Sequence, residues 1–192
     1  MSENLAYKYE EEILEELIDG QVVAMAPSPT VDHHQIAFNI ASIFSAYLKG
    51  KKCRAFGDGV DLYLTEKDRF IPDGMVVCDP DKIKFNGVHG APDLVVEVRS
   101  PSTAKRDRGY KMRVYAQCGV KEYWLVNPAD RSLETYLLED GEMVLQEIYT
   151  LYPDYMVEAM SEAERAALVT EFQCSLFDDL TIHLEDVFER VE

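Results

Sequence analysis

The chain has 192 residues, of which 47% are hydrophobic, and this is enough to fold as one globular domain with a sizeable core. No run approaches the roughly 18 apolar residues of a membrane span, and the first twenty residues are acidic, unlike a secretory signal. The net charge of −17 argues against tight binding of duplex DNA, because Lys and Arg must neutralise the phosphates. We therefore expect one cytoplasmic domain over residues 1–192.

The first half of the chain shows helical and strand patterns in turn. Tyr7 to Ile18 has apolar residues at helical spacing before Asp19-Gly20, which predicts an amphipathic first helix. Gln21 to Ala26 predicts a short strand, and Val31 to Leu48 predicts a second helix that packs on a sheet. Four short runs, at residues 60–64, 71–78, 94–98 and 123–126, are rich in β-branched or aromatic residues and predict core strands.

The second half predicts a helix between two strands, followed by a hairpin. Ala104 to Gln117 has a helical pattern, with Ser102 or Thr103 as N-cap and Gly119 just past its end. Residues 133–138 and 143–149, around an Asp-Gly turn, predict a β-hairpin, and residues 161–168 predict a short helix that opens with a capping box. The fold class is therefore mixed α/β (α+β), with flanking helices and an added hairpin.

Four cysteines lie far apart in the sequence: Cys53, Cys78, Cys118 and Cys174. They form no C-x-x-C pair, which excludes a zinc knuckle or a thioredoxin-type motif. Because free cysteines are often buried, we expect all four to be free thiols.

Two carboxylates interrupt apolar strands. Asp73 shares a strand face with Met75 and Val77, and Glu97 lies in the middle of the run from Leu94 to Val98. A buried carboxylate needs a cation, a metal or hydrogen-bond donors, and two that converge make a hard oxygen site for Mg²⁺ or Mn²⁺. The alternative for either one is a salt bridge to Arg99, Lys111 or Arg113.

Other charged residues are candidates for the same site. Residues 99–113 carry six Lys or Arg against one Asp, so a local basic patch can exist on the acidic protein. Glu16 is a further possible metal ligand from the first helix, or one more solvated charge. His33, at the start of the second helix, is expected to cap or pack, and a role as a base is its alternative. Asp93 is expected to mark the entry to a strand, too far from Glu97 to share an ion.

Several segments resemble the Uma-two family of putative restriction endonucleases, which belongs to the PD-(D/E)XK nuclease superfamily. The resemblance rests on Ile71-Pro72-Asp73, on the run from Ala91 to Thr103, and on Gly119-Val120-Lys121-Glu122-Tyr123-Trp124-Leu125-Val126. Leu17-Ile18-Asp19-Gly20 is similar to the opening of the family, and Ser175-Leu176-Phe177 to its closing segment. The stretch from Leu151 to Glu171 is longer than the family usually has.

The resemblance implies a restriction-endonuclease-like core and a metal-dependent DNA endonuclease. Asp73 and Glu97 then correspond to the acidic pair of the motif, which holds Mg²⁺ or Mn²⁺, with Glu16 as a further ligand. Arg99 stands where the superfamily has its lysine, and arginine is a poor proton acceptor. Lys111 is our candidate for the basic role, and a solvated pair with Asp107 is its alternative.

The resemblance also implies DNA as the partner and a homodimer as the assembly. The rival hypothesis is a non-catalytic member that keeps the fold as a binding or assembly module. Arg99 in the lysine position and the net charge of −17 favour that rival.

Overall fold

The computed structural model of the protein describes residues 14–24, 30–100 and 104–191, without the side chain of residue 105. Its helices are α1 (Val31–Tyr47), α2 (Ala104–Arg106), α3 (Met112–Cys118), α4 (Asp154–Ala159), α5 (Glu162–Ala166) and α6 (Leu184–Val187), with a 3₁₀ turn at Pro80–Lys82 and a π-helical turn at Asp107–Lys111. Its strands are β1 (Glu15–Ile18), β2 (Gln21–Ala24), β3 (Arg54–Gly57), β4 (Leu62–Tyr63), β5 (Arg69–Phe70), β6 (Gly74–Val77), β7 (Ile83–Lys84), β8 (Gly87–His89), β9 (Leu94–Val98), β10 (Glu122–Asn127), β11 (Ser132–Glu139), β12 (Glu142–Thr150), β13 (Glu171–Gln173) and β14 (Thr181–His183).

The strands form two mixed sheets and one separate pair. The main sheet has the order β12-β11-β10-β9-β6-β3, in which β9 and β10 are parallel and the other neighbours are antiparallel. The second sheet has the order β2-β1-β5-β4-β8-β7, with β4 and β8 as its parallel neighbours. β13 pairs with β14. The mixed α/β class with an added hairpin, β11–β12, agrees with the sequence prediction.

The two faces of the main sheet cover separate apolar clusters, because strand side chains alternate between faces. On β9, Leu94, Val96 and Val98 pack in the cluster that includes the buried residues of α1 and α6. Val95 lies in the other cluster, against Tyr115 of α3 and the buried residues of the second sheet. Glu97 is two residues from Val95 and therefore shares its face, as the alternation predicts.

The predicted first helix is wrong within the described residues, since Glu15–Ile18 is the strand β1. Asp19 and Gly20 both have positive φ, 50° and 75°, and join β1 to β2 in a two-residue hairpin. Positive φ at both central residues defines the type I′ turn that Asp-Gly favours. The Asp-Gly pair therefore makes a hairpin rather than ending a helix; residues 7–13 of the predicted helix lie outside the described residues.

Most of the other predicted elements are confirmed. The strands at residues 71–78, 94–98 and 123–126, α1, and the β11–β12 hairpin occupy the predicted segments. Ser161 caps α5 in the predicted capping box. Gly119 ends α3 in the left-handed conformation, with φ of 90°. The helix predicted over residues 104–117 is broken by the π-helical turn, and its N-cap candidates Ser102 and Thr103 lie outside the described residues.

The prediction of four free thiols is wrong for two of them. Cys53 and Cys78 form a disulfide that joins β3 to β6, while Cys118 and Cys174 are free. Arg54 pairs with Val77, so the register places Cys53 and Cys78 opposite each other one residue further along. The pair was missed because it depends on strand register, which the spacing of cysteines does not show.

In the part of the chain that the structure describes, no helix is both long and apolar enough to cross a bilayer.

Candidate active site

Asp73 and Glu97 lie opposite each other at one end of the β6–β9 pair. β6 and β9 are antiparallel, and Gly74 pairs with Val96. The same register continued by one residue pairs Asp73 with Glu97, and directly opposed residues have their Cβ atoms about 4.5–5.5 Å apart. Both residues are buried, with exposed fractions of 7% and 4%. The fold therefore brings together two carboxylates that are 24 positions apart in the sequence.

The Asp73 carboxylate is held by the neighbouring strand and by α1. Its Oδ2 accepts a 2.6 Å hydrogen bond from the N–H of Val98, and Nε2 of His33 lies 3.4 Å from the same oxygen. Burial lowers the pKa of His33, but the hydrogen bond and charge of Asp73 outweigh it, so that this pKa is raised. Thr30 caps α1 by accepting from the N–H of His33. His33 is therefore buried at the start of α1, as the sequence predicted, and it also contacts a candidate ligand.

The Glu97 carboxylate is held by two side chains from the helical segment that follows β9. Its Oε1 accepts hydrogen bonds from Tyr115 Oη at 2.6 Å and from Lys111 Nζ at 3.1 Å. Burial raises the pKa of Glu97 well above its usual range, although the charge of Lys111 opposes this, and the nearby acids add to the rise. Burial and the charge of Glu97 likewise raise the pKa of Tyr115.

Glu16 reaches the same cluster from β1 and not from a helix. It is 3% exposed, and its Oε1 accepts from the N–H of Ile71 at 3.0 Å and from Lys111 Nζ at 2.7 Å. Arg106 Nη1 lies 3.6 Å from Glu16 Oε2. Glu16 is therefore part of the buried polar cluster, and Lys111 bridges it to Glu97.

Lys111 is the central cation of this cluster. It is the last residue of the π-helical turn and is 4% exposed. Burial lowers its pKa, but the surrounding carboxylates Glu97, Glu16 and Asp107 outweigh burial and raise the pKa above the usual lysine value. The alternative of a pair with Asp107 on a solvated helix face is wrong, since both residues are buried. Lys111 is therefore protonated at neutral pH.

Arg99 and Arg113, the other two cations considered for the carboxylates, lie differently. Arg99 is half-buried, and its Nε is buried without a hydrogen-bond partner among the described residues. Arg113 is exposed, with its guanidinium 6.0 Å from the ring centre of Tyr110. Within the described part of the chain, neither arginine forms an ion pair with Asp73 or Glu97.

Asp93 lies at the entry to β9, where the sequence predicted it. Its Oδ2 accepts a 2.7 Å hydrogen bond from the N–H of Cys78, and Lys121 Nζ lies 2.7 Å from its Oδ1. Burial raises the pKa of Asp93, but Lys121 and the N–H of Cys78 outweigh it and hold the pKa below its usual range. Asp93 therefore anchors the start of the strand.

The donor set fits a divalent ion held by two carboxylates. Asp73 Oδ1 and Glu97 Oε2 accept no hydrogen bond from the described residues, which leaves one oxygen of each carboxylate open. Among those residues no group of three His, Cys, Asp or Glu side chains can hold a metal. Mg²⁺ nevertheless binds commonly through one or two carboxylates and completes its shell with water and substrate phosphate. Asp73 and Glu97 are the residues that would hold it.

Two residues near the carboxylates were not predicted from the sequence. Arg106 lies near Glu16 together with Lys111 because the chain between them winds as a π-helical turn. No local sequence pattern predicts such a turn. Asp58 Oδ2 lies 3.9 Å from Nδ1 of His34. The pKa of Asp58 is raised mainly by burial and also by the charge of Asp73. The Gly57-Asp58-Gly59 sequence predicted a turn there but not its proximity to the site.

Comparisons with known proteins agree with this architecture. The sequence profile of the Uma2 family, described as "Putative restriction endonuclease", matches residues 2–168. A Synechocystis protein named "Uncharacterized protein slr1290" is 32% identical over 133 residues, which cover 68% of this chain and 70% of that protein.

A solved structure from Anabaena variabilis, titled as a putative nuclease belonging to DUF820, shares the fold. It aligns with a TM-score of 0.65 at 22% identity and covers 92% of this chain and 90% of its own. Identity at this level indicates fold alone, whereas the match of the family profile spans most of the sequence. The chain belongs to the Uma2 family, whose members are described as putative restriction endonucleases.

Proposed function

We propose that this protein is a metal-dependent DNA endonuclease, with residues 1–192 forming one restriction-endonuclease-like domain that acts as a homodimer. The observation that carries the proposal is the opposition of Asp73 and Glu97, two buried carboxylates that each keep one oxygen open among the described residues. Family membership supports the same chemistry. A bound Mg²⁺ or Mn²⁺ would polarise the scissile phosphate and lower the pKa of the attacking water.

The chain's own residues orient the two carboxylates. Val98 fixes Asp73 through its N–H, while Tyr115 and Lys111 fix Glu97 through one oxygen. Each carboxylate is thereby held through one oxygen, while its other oxygen accepts no hydrogen bond from the described residues. Such supporting hydrogen bonds raise the precision of a metal site, because they restrict the orientation of the ligands.

Two cations can serve an anionic substrate without acting as bases. Lys111 is protonated at neutral pH because of the carboxylates around it, so it supplies charge and N–H donors. Arg99 keeps its proton in any protein and can bind phosphate with two parallel N–H groups. The proton of the attacking water therefore goes to neither of these two side chains.

The experiment is metal-dependent cleavage of plasmid DNA by the protein and its Asp73→Asn and Glu97→Gln variants, beside titration with Mn²⁺ by calorimetry. We expect cleavage with Mg²⁺ or Mn²⁺ and its loss in both variants together with Mn²⁺ binding. Glu185→Gln, which changes an exposed carboxylate on α6, is the matched control and should keep both activities. Cleavage that survives in Glu97→Gln would overturn the proposal.

A second candidate function is a non-catalytic binding or assembly module of the same fold. Its support is the buried ion pair of Glu97 with Lys111, because a neutralised carboxylate has less need of a metal. A crystal soaked with Mn²⁺ distinguishes the two. Density for an ion between Asp73 and Glu97 favours the nuclease, and an unchanged Lys111–Glu97 pair favours the module.

A further inference from the structure

An open groove of about 650 Å³ runs between the outer face of α1 and the strand β3. Its floor consists of small residues, which are Ala41, Ser42, Ser45 and Ala46 on the helix and Ala55 and Gly57 on the strand. Phe38 lines one end of this α1–β3 groove and Lys49 lines the other. The ring of Phe38 is 67% exposed, although burial of an aromatic ring is favourable. An exposed aromatic ring thus lies beside a groove with room for one.

β3 is the edge strand of the main sheet on this side. It pairs with β6, and no other strand in the described part of the chain pairs with it. The outward N–H and C=O groups of an edge strand are a template for another strand. The edge can therefore accept a strand from a further chain.

The two ends of β3 carry opposite charges. Lys51, Lys52 and Arg54 are exposed at its start, and Asp58 is exposed just after its end. In an antiparallel pair of two β3 strands, the start of each strand lies against the end of the other. Arg54 of each copy then faces Asp58 of the other copy, so the symmetric pair contains this contact two times. The strand is thus complementary to itself under a two-fold rotation.

We propose that the α1–β3 groove docks a second copy of this chain. The two β3 strands join antiparallel and extend the main sheet, and the Phe38 ring of each copy enters the other copy's groove. The geometry supports this because a Cβ placed on Gly57 would lie 3.5 Å from that of Ala41, and residues 48–53 connect the end of α1 to the start of β3. The helix and the strand therefore run side by side in opposite directions. Phe38 lies at the Gly57 end of its own groove. A two-fold rotation places its ring near the Lys49 end of the groove in the second copy. This interface rests on the homodimer of the proposed function and specifies its contact surface, but it does not depend on metal binding or on DNA cleavage.

The first test is the mass of the full-length chain by sedimentation velocity over a micromolar concentration series. We expect a species of twice the 21.9 kDa chain mass, with dissociation on dilution. A denaturing, non-reducing gel should show the single-chain mass, which excludes a disulfide between copies. A chain that remains monomeric throughout the series overturns the inference.

The second test is a set of charge reversals across the proposed interface. Arg54→Glu alone and Asp58→Arg alone each place like charges together, and we expect each to raise the dimer Kd at least about tenfold. The double variant restores opposite charges and should recover most of the lost affinity. Single variants without effect, or a double variant weaker than both, would overturn the interface.

Ser45→Arg and Phe38→Ser test the groove itself. Ser45 is exposed, so the longer side chain can fill the groove without disturbing the core, and we expect it to prevent dimers. Phe38→Ser should also raise the Kd at least about tenfold. Phe85→Ser, which removes a fully exposed ring from the β7–β8 turn, is the matched control and should leave the Kd unchanged. Far-ultraviolet circular dichroism confirms that each variant is folded, and a dimer insensitive to Ser45→Arg would place the interface elsewhere.

Discussion

Lys111 and Glu97 form a buried ion pair between the helical segment and the main sheet, with Nζ 3.1 Å from Oε1. Lys111 also pairs with Glu16, at 2.7 Å, so that one cation neutralises two buried carboxylates. Each of the three residues is less than a twentieth exposed. The cluster joins β1, the π-helical turn and β9, and it therefore couples the second sheet to the main sheet beside the candidate site.

Removing the cation from this cluster should destabilise the fold strongly. Lys111→Met leaves Glu16 and Glu97 buried without a countercharge, and we expect the free energy of unfolding at pH 7 to fall by about 3–5 kcal/mol. Urea denaturation measures this free energy of unfolding for the parent and the variant. Lys121→Met, which removes a lysine whose side chain is 66% exposed, should cost less than about 1 kcal/mol. Equal losses in the two variants would show that the buried cluster contributes little.

The raised pKa of Glu97 predicts the direction of a pH dependence. The folded protein keeps the Glu97 proton at pH values where the unfolded chain, with a glutamate pKa near 4.3, has released it. The contribution of this group is therefore fully present below about pH 4 and is lost as the pH rises through the folded pKa. Relative to Glu97→Gln, the parent should lose unfolding free energy across that range. A parent that gains relative stability instead would show that the pKa of Glu97 is lowered, and not raised, in the folded protein.

Reduction of the Cys53–Cys78 disulfide should lower stability. The bond closes a loop with a sequence separation of 25, and loops of this size contribute about 3 kcal/mol. Denaturant unfolding with and without a thiol reductant measures the difference. Cys118→Ser, which changes a free cysteine, should leave the effect of the reductant intact. Alkylation in denaturant without reductant should label two cysteines, and labelling of all four would contradict the disulfide.

Glu122 is predicted to hold the segment after β13 against the main sheet. Its Oε1 accepts a 2.6 Å hydrogen bond from Trp124 Nε1, and its Oε2 accepts from Ser175. Glu122→Ala leaves the buried indole N–H without its acceptor, and we expect a loss of about 1–3 kcal/mol. Because Trp124 is the single tryptophan, its fluorescence reports the change directly. Glu122→Gln keeps an acceptor oxygen and should lose less; an equal loss would contradict this account.

The sequence predicted the elements whose pattern is local. The alternation in Leu94 to Val98 assigned both faces of β9 correctly, and the spacing of apolar residues found α1. The failure at Glu15–Ile18 has a physical cause, since strand pairing overrides there the apolar spacing that predicted a helix over residues 7–18. There the Asp19-Gly20 turn and pairing with β5 decide the structure.

The contacts of the candidate site depend on strand register and helix phase. The opposition of Asp73 and Glu97 could be inferred once both were assigned to neighbouring strands, and it follows from the register of β6 with β9. The contact of Glu16 with Lys111 could not be inferred from the sequence, because it requires the second sheet to pack beside the helical segment that carries Lys111. The pairing of Cys53 with Cys78 likewise depends on the register of β3 with β6. Such tertiary relationships leave no trace in local periodicity.

The π-helical turn determines how Arg106 and Lys111 are placed around Glu16. Arg106 and Lys111 are five positions apart and reach the same carboxylate, whereas in a regular α-helix such positions point about 140° apart. A π-helical turn is the wider form that lets them share a side. Deletion of Gly109, whose surroundings are open, would leave Arg106 and Lys111 four positions apart, and positions four apart share one face of a regular α-helix. A chain one residue shorter could thus keep both cations beside Glu16, so the contact depends on the phase of the helix and not on the presence of the wider turn.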